Sequence, residues 1–220
     1  MPKQTIVASG GSPDALLMEY VLGFARGRRV LVDGTASPAY DGRLDLPGEL
    51  TRLSFWPWPP ENLRELALSH DVILVCGGNT ANLLAVWRVH GFDRILREAW
   101  EAGVVLCGWS AGMICWFEAC ITDSFGPQLE GLRDGLGFLR GSACPHYNGE
   151  ELRRPVYTSL VADGFPPGLA LDDRAAARFE GTELVEVVAT DPGATGYRVG
   201  PEGEKPLEAR LLLKPGGGDA

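Results

Sequence analysis

Residues 104–117 read Val-Val-Leu-Cys-Gly-Trp-Ser-Ala-Gly-Met-Ile-Cys-Trp-Phe. An apolar run at 104–107 leads straight into Gly108-Trp109-Ser110-Ala111-Gly112, and a second apolar run follows. A run without polar alternation suits a strand buried on both faces of a parallel sheet. Gly-x-Ser-x-Gly between such a strand and a helix is the pattern of a nucleophile elbow. The tight turn lifts one side chain above the C-terminal edge of the sheet, and the glycines let neighbouring backbone come close. These residues therefore predict strand, turn and a helix to about residue 120, with Ser110 as the raised nucleophile. The bland reading is a Gly-rich turn with no chemistry.

The same rhythm extends outward on both sides. Residues 72–76 are another wholly apolar strand, followed by Gly77-Gly78-Asn79-Thr80 and a helix to His90. Further strands are predicted at 5–8, 29–33 and 53–56. Helices are predicted at 60–69, 92–102 and from Ser12-Pro13-Asp14 to about residue 25, with Ser12 as N-cap and Pro13 in the first helical position. This βαβα alternation implies a doubly wound α/β fold with a mostly parallel central sheet and helices on both faces. Residues 1–220 read as one domain. The second half is less regular. It has an excursion at 122–135, one or two strands at 136–144, a helix at 150–162 and a strand at 169–172. Antiparallel strands at 175–178, 184–189, 196–199 and 209–213 are expected to extend the sheet edge. The Gly-rich tail, 215–220, is expected to fray.

The chain has 220 residues, with 20 Lys and Arg against 29 Asp and Glu, a net charge of −9. Nucleic acid and anionic membranes call for a basic face and are disfavoured as partners. An anionic substrate must be held by local cations. No apolar run reaches the length of a membrane span, and no targeting segment is evident at the N-terminus. The five cysteines lack metal-ligand spacing, so no metal or cofactor is expected, and reduced buried thiols point to a cytoplasmic protein. Cys144 sits near His146 but reads as one of these inert thiols.

A serine nucleophile needs a base. Of three histidines, His70 and His90 sit where predicted helices end, an ordinary place for a cation. His146 lies on a loop after a predicted strand, in Cys-Pro-His-Tyr-Asn. Acids between Ser110 and His146 sit at no clear strand end, whereas Asp172 and Asp173 follow the strand 169–172. The order is then serine, histidine, acid, which disfavours an α/β-hydrolase. The side chains of Asp172 and Asp173 should leave the strand in opposite directions, so only one meets the histidine.

Four blocks now resemble those of peptidase family S51, the peptidase E and cyanophycinase group. They are Val75–Thr80 (V-C-G-G-N-T), Gly108–Gly112, Cys144–Tyr147 and Leu171-Asp172-Asp173. The resemblance implies a class I glutamine amidotransferase-like fold. It puts the nucleophile at Ser110, the base at His146 and the orienting acid at Asp173, one methylene shorter than the glutamate of peptidase E. Cys76 stands where peptidase E has a third glycine. The resemblance also implies an oxyanion hole from the N–H groups of Gly78 and Ala111, with Asn79 beside the substrate. An arginine after the histidine block reads an aspartate side chain, which singles out Arg153 and Arg154; their bland role is pairing with Glu150 and Glu151. The implied partner is a small peptide with N-terminal aspartate. The alternatives are cyanophycinase-like cleavage of β-aspartyl-arginine and a binding module without catalysis. Serine in the elbow disfavours glutaminase chemistry. Trp56 and Trp58 are candidates for a cleft wall or a homodimer contact.

Overall fold

The computed structural model of the chain describes residues 3–37 and 44–213; the tail at 215–220 lies outside them. In chain order the elements are β1 (Thr5–Ser9), α1 (Ala15–Leu22), β2 (Arg29–Asp33), β3 (Glu49–Leu53), α2 (Leu63–Ser69), β4 (Val72–Val75), α3 (Thr80–His90), α4 (Phe92–Glu101), β5 (Val105–Trp109) and α5 (Ala111–Ile114). They continue with β6 (Phe117–Thr122), β7 (Glu130–Leu132), β8 (Leu139–Cys144), α6 (Arg153–Ala162), β9 (Gly168–Leu171), β10 (Ala175–Glu180), β11 (Glu183–Ala189), β12 (Gly196–Gly200), β13 (Gly203–Pro206) and β14 (Ala209–Leu211). The first sheet runs β14-β11-β10-β1-β5-β4-β2-β3 and the second β13-β12-β9-β8-β6-β7.

In the first sheet the pairings of β1, β5, β4, β2 and β3 with one another are parallel, and the two pairings of β10 are antiparallel. Successive residues of its central strands enter different cores. Ile6, Leu31, Ile73 and Leu106 join the cluster that holds Leu83, Trp87 and Leu96 of α3 and α4. Val7, Val30, Val72 and Val105 join Leu17, Met18 and Val21 of α1. Helices thus cover both faces, which is why these strands carry no polar alternation. Burying each such side chain stabilises by about 1.5–3 kcal/mol.

The second sheet is the main departure from expectation. The helix after Ser110 stops at Ile114, and Phe117–Thr122 is a strand rather than its continuation to residue 120. Residues 111–122 are almost wholly apolar, and such a run fits a buried strand as well as a helix. From β6 the chain builds β8 and β9, parallel neighbours, before β10 returns it to the first sheet. One face of the second sheet shares the core of α3 and α4, and the other packs Tyr157 and Val161 of α6.

Smaller corrections follow local chemistry. Asp14, not Ser12, caps α1, its carboxylate accepting from the Leu17 N–H at 2.9 Å. β3 begins four residues before the expected strand, so residues 54–56 are loop. Of the C-terminal strands, β10 and β11 extend the first sheet, β12 and β13 pair into the second, and β14 runs parallel to β11. No helix among the described residues is long and apolar enough to cross a membrane.

Candidate active site

Ser110 follows the last residue of β5, between β1 and β4 in the sheet. Its backbone sits at φ 54° and ψ −115°. L-residues rarely adopt positive φ, and holding one there costs about 1–3 kcal/mol. The surroundings enforce it. The Ser110 N–H donates to the Ser9 carbonyl at 3.3 Å, and its carbonyl accepts from Met113 and Ile114. Gly112 explains the second glycine of the pattern: a Cβ there would lie 2.1 Å from the Val75 carbonyl oxygen. The elbow is pressed onto the end of β4, and only hydrogen fits between them.

The parallel pairing of β8 and β9 aligns Cys144 with Ala170. His146 and Asp173 therefore leave the second sheet at the same end, two and three residues further on. His146 Nδ1 lies 2.7 Å from Asp173 Oδ1. The shorter acid reaches the ring at ordinary hydrogen-bond length, so the missing methylene leaves no gap. Asn148 Oδ1 accepts from the Asp173 N–H at 2.8 Å. Gly149 leaves room for the carboxylate: a Cβ there would stand 2.1 Å from Asp173 Oδ2. Asp172 turns the other way, into the protein. Its Oδ2 accepts from the Thr195 N–H at 3.0 Å, its Oδ1 has no partner, and burial pushes its carboxyl pKa up. Among the described residues, the non-glycine residues at positive φ are Ser110, His146 and Arg174, the last adjoining Asp173. Backbone strain is thus confined to the three strand ends that carry these groups. No hydrogen bond joins Ser110 Oγ to His146 in this structure; such contacts often tighten only when substrate binds.

The loop after β4 faces the elbow. A Cβ on Gly77 would lie 3.1 Å from Ser110 Cβ, and one on Gly78, at φ 140°, would lie 2.2 Å from the Ala36 carbonyl oxygen. Among the described residues, neither the Gly78 N–H nor the Ala111 N–H donates a hydrogen bond. α5 is a single turn, so backbone donors matter here more than a helix dipole. Asn79 Oδ1 caps α3 through the Asn82 N–H, and its Nδ2 donates to the Ser124 carbonyl, both at 2.8 Å. Its side chain is thereby committed to the scaffold.

Asp33 supports this loop from below, a role the sequence did not suggest. It is fully buried. Oδ1 accepts from the N–H and hydroxyl of Thr35, and Oδ2 accepts from Trp87 Nε1 at 2.7 Å. One carboxylate so ties the turn at 34–37 to α3. The Asn79 N–H reaches the same turn, donating to the Ala36 carbonyl at 2.7 Å. The Asp-Gly pair at 33–34 signals only a turn after a strand.

Gly78, Asn79, Ser110, Asp123, Glu150 and Arg153 line one cavity of about 290 Å³. The structure separates the two candidate arginines. Arg153 is buried, with Nε 2.7 Å from Glu150 Oε2, Nη1 3.5 Å from the Ile121 carbonyl and Nη2 3.9 Å from Asp123 Oδ1. Arg154 lies outside the cavity lining, paired with Glu204 and stacked over Tyr147 and Tyr197. Pro155 in the first turn of α6 does not disturb this, but adjacent helical positions point about 100° apart, so only one arginine can face the cavity. Asp123 and Glu150 are additions. They follow β6 and the His146 turn, the same strand ends, but sequence alone did not bring them together.

The remaining candidates lie elsewhere. His70 Nδ1 is 2.7 Å from the Leu66 carbonyl, and His90 stacks on Phe55. Trp56 and Trp58 are exposed and not part of the cavity lining. All five cysteines are free and buried, and burial raises every thiol pKa, that of Cys120 to about 12. No cluster of three His, Cys, Asp or Glu suited to a metal occurs among the described residues.

Comparison with known proteins matches residues 39–187 to the model of peptidase family S51. An uncharacterized peptidase, YgaJ, of Bacillus subtilis is 50% identical over 150 residues, which are 68% of this chain and 64% of that protein. The match thus spans just under two thirds of that relative. Peptidase E of Shewanella denitrificans is 29% identical over 161 residues, 69% of this chain and 67% of its own. Among solved structures, a peptidase from an acI-B1 Actinobacterium superposes with a TM-score of 0.66 at 18% identity, covering 93% of this chain and 94% of that one. A putative peptidase E protein from Listeria monocytogenes gives 0.60 at 18% identity, covering 83% and 97%. At such identity these structures establish the fold.

Proposed function

This chain belongs to peptidase family S51 and has its class I glutamine amidotransferase-like fold, and from that premise we propose that it is a serine peptidase that hydrolyses small peptides with N-terminal aspartate. The observation that carries the reading is the 2.7 Å contact between His146 and Asp173 at the strand ends that also hold the strained Ser110. Asp173 accepts a hydrogen bond from the Nδ1–H group, which leaves Nε2 of neutral His146 to take the proton of Ser110 Oγ as that oxygen attacks the peptide carbonyl. The oxyanion is received by the N–H groups of Gly78 and Ala111. The bond to nitrogen breaks, His146 returns the proton to the departing amine, and an acyl-enzyme remains on Ser110. Water, deprotonated by His146, then releases the acid and restores the serine.

The cavity charges suit the substrate. Arg153 is buried and permanently charged, and its fork fits the aspartate carboxylate. Asp123 and Glu150 are each about half exposed, which suits them to the free α-amino group. Two acids beside one arginine also favour a second reading, a β-aspartyl-arginine substrate whose guanidinium meets the acids. Five free buried thiols support a cytoplasmic location.

The test is digestion of a dipeptide library, with β-aspartyl-arginine included, by the native chain and by Ser110→Ala. Release of N-terminal aspartate by the native chain alone supports the first reading, and preference for β-aspartyl-arginine the second. Equal release by both proteins would reject Ser110 chemistry.

A further inference from the structure

Most cations of this acidic chain have a partner. Among the described residues, the side chains of Arg94, Arg140, Arg198 and Lys205 have no hydrogen bond, ion pair or ring contact. Three of these, Arg140, Arg198 and Lys205, line one cavity of about 420 Å³. Clustering of unpaired cations is unexpected in a chain of net charge −9, where carboxylates to pair with are plentiful.

Strand register sharpens the point. Arg198 of β12 stands directly opposite Lys205 of β13. Side chains opposite one another on antiparallel strands share a face, with Cβ atoms about 4.5–5.5 Å apart, and like charges there destabilise the pairing. Arg140, at the start of β8, adds a third charge across the same concavity. Pro167, Gly168, Val199 and Gly200 contribute little side-chain bulk to the wall. The cavity is of a size that small ligands fill.

We propose that this cavity binds a small phosphate-bearing anion. Two guanidinium forks and an ammonium can surround phosphate oxygens, and phosphate geometry matches the arginine fork. Binding would relieve the repulsion between Arg198 and Lys205. Glu202, the one acid in the lining, sets a threshold: a single negative charge gains little, so the ligand carries at least two. The site is separate from the peptidase cavity. Gly168 begins β9 and Asp173 lies beyond its other end, roughly 15 Å away at strand rise. The proposal therefore stands whether or not the peptidase reading holds.

The experiment is isothermal titration of the full chain with sodium pyrophosphate at fixed low ionic strength. It compares the native protein with Arg140→Gln, Arg198→Gln, Lys205→Gln, the triple variant and Arg153→Met, with folding checked by circular dichroism. The three positions are exposed, so their variants should fold. Saturable one-to-one binding is expected. Each single neutralisation should weaken it on the order of fivefold, and the triple variant should abolish it. Added salt should weaken it, and Arg153→Met should leave it unchanged. Absence of saturable binding to the native chain, native-like binding by the triple variant, or loss in Arg153→Met would overturn the proposal.

Discussion

Replacing Asp173 by asparagine keeps size and shape but removes the charge that would stabilise the imidazolium of His146. The contact is 2.7 Å, and the side chains are 20% and 40% exposed. With charge centres about 4 Å apart, the attraction is about 4 kcal/mol at an effective dielectric of 20 and about 1 kcal/mol in bulk water. Partial exposure places the pair between these limits, at about 2–3 kcal/mol. At 1.36 kcal/mol per decade, kcat should fall about 30- to 150-fold. That is less than the loss of about 10⁴ when the buried acid of a chymotrypsin-like triad becomes an amide, because this carboxylate is partly in water. KM should change little, since Asp173 lies outside the cavity lining. Asp172→Asn is the control: it keeps an acceptor for the Thr195 N–H, so kcat should stay within about threefold. The assay is steady-state hydrolysis of an aspartyl dipeptide, with folding checked. A large loss in Asp172→Asn together with near-native Asp173→Asn would refute the reasoning.

Gly149→Ala places a methyl 2.1 Å from Asp173 Oδ2 and should reproduce the kcat loss of Asp173→Asn in a folded protein; native kcat would show that the carboxylate need not stay where it is. Arg153→Met should raise KM for Asp-X substrates at least tenfold, a loss of about 1.4 kcal/mol or more for a charge-assisted contact, while Arg154→Met leaves KM unchanged; the reverse pattern in initial rates would exchange their roles. Asp172 adds a pH effect on stability. Burial raises its folded pKa above the ordinary aspartate value of 3.8, so the native state holds that proton more tightly than the unfolded chain. Its contribution to stability therefore falls as pH rises from about 3.8 through the folded pKa. Asp172→Asn should accordingly raise Tm relative to the native chain more at pH 7 than at pH 4; a gap that does not widen with pH would contradict this.

What could be read in the sequence was whatever depends on local pattern. β4 and β5 were legible because both faces of each are buried, and the elbow because glycines at 108 and 112 leave few other conformations. His146 could be singled out by its place after a strand, whereas strand ends and chain order narrowed the acid only to Asp172 or Asp173, and the family resemblance chose Asp173. The second sheet was hidden because residues 111–122 are apolar but for Glu118 and Thr122 and lack a period that separates helix from strand. Asp123, Glu150 and the support from Asp33 depend on how loops of different strands converge, which spacing along the chain does not encode. The arginine pair was ambiguous for a related reason: which neighbour faces the cavity is set by the rotation of α6.

The claim that Ser110 is the nucleophile is tested most directly by intact-mass measurement after treatment with a small sulfonyl fluoride. One adduct per chain is expected, mapped to Ser110, formed at least 100-fold more slowly in His146→Ala and absent in Ser110→Ala. Stoichiometric labelling at another residue, or equally fast labelling of the His146→Ala variant, would contradict it.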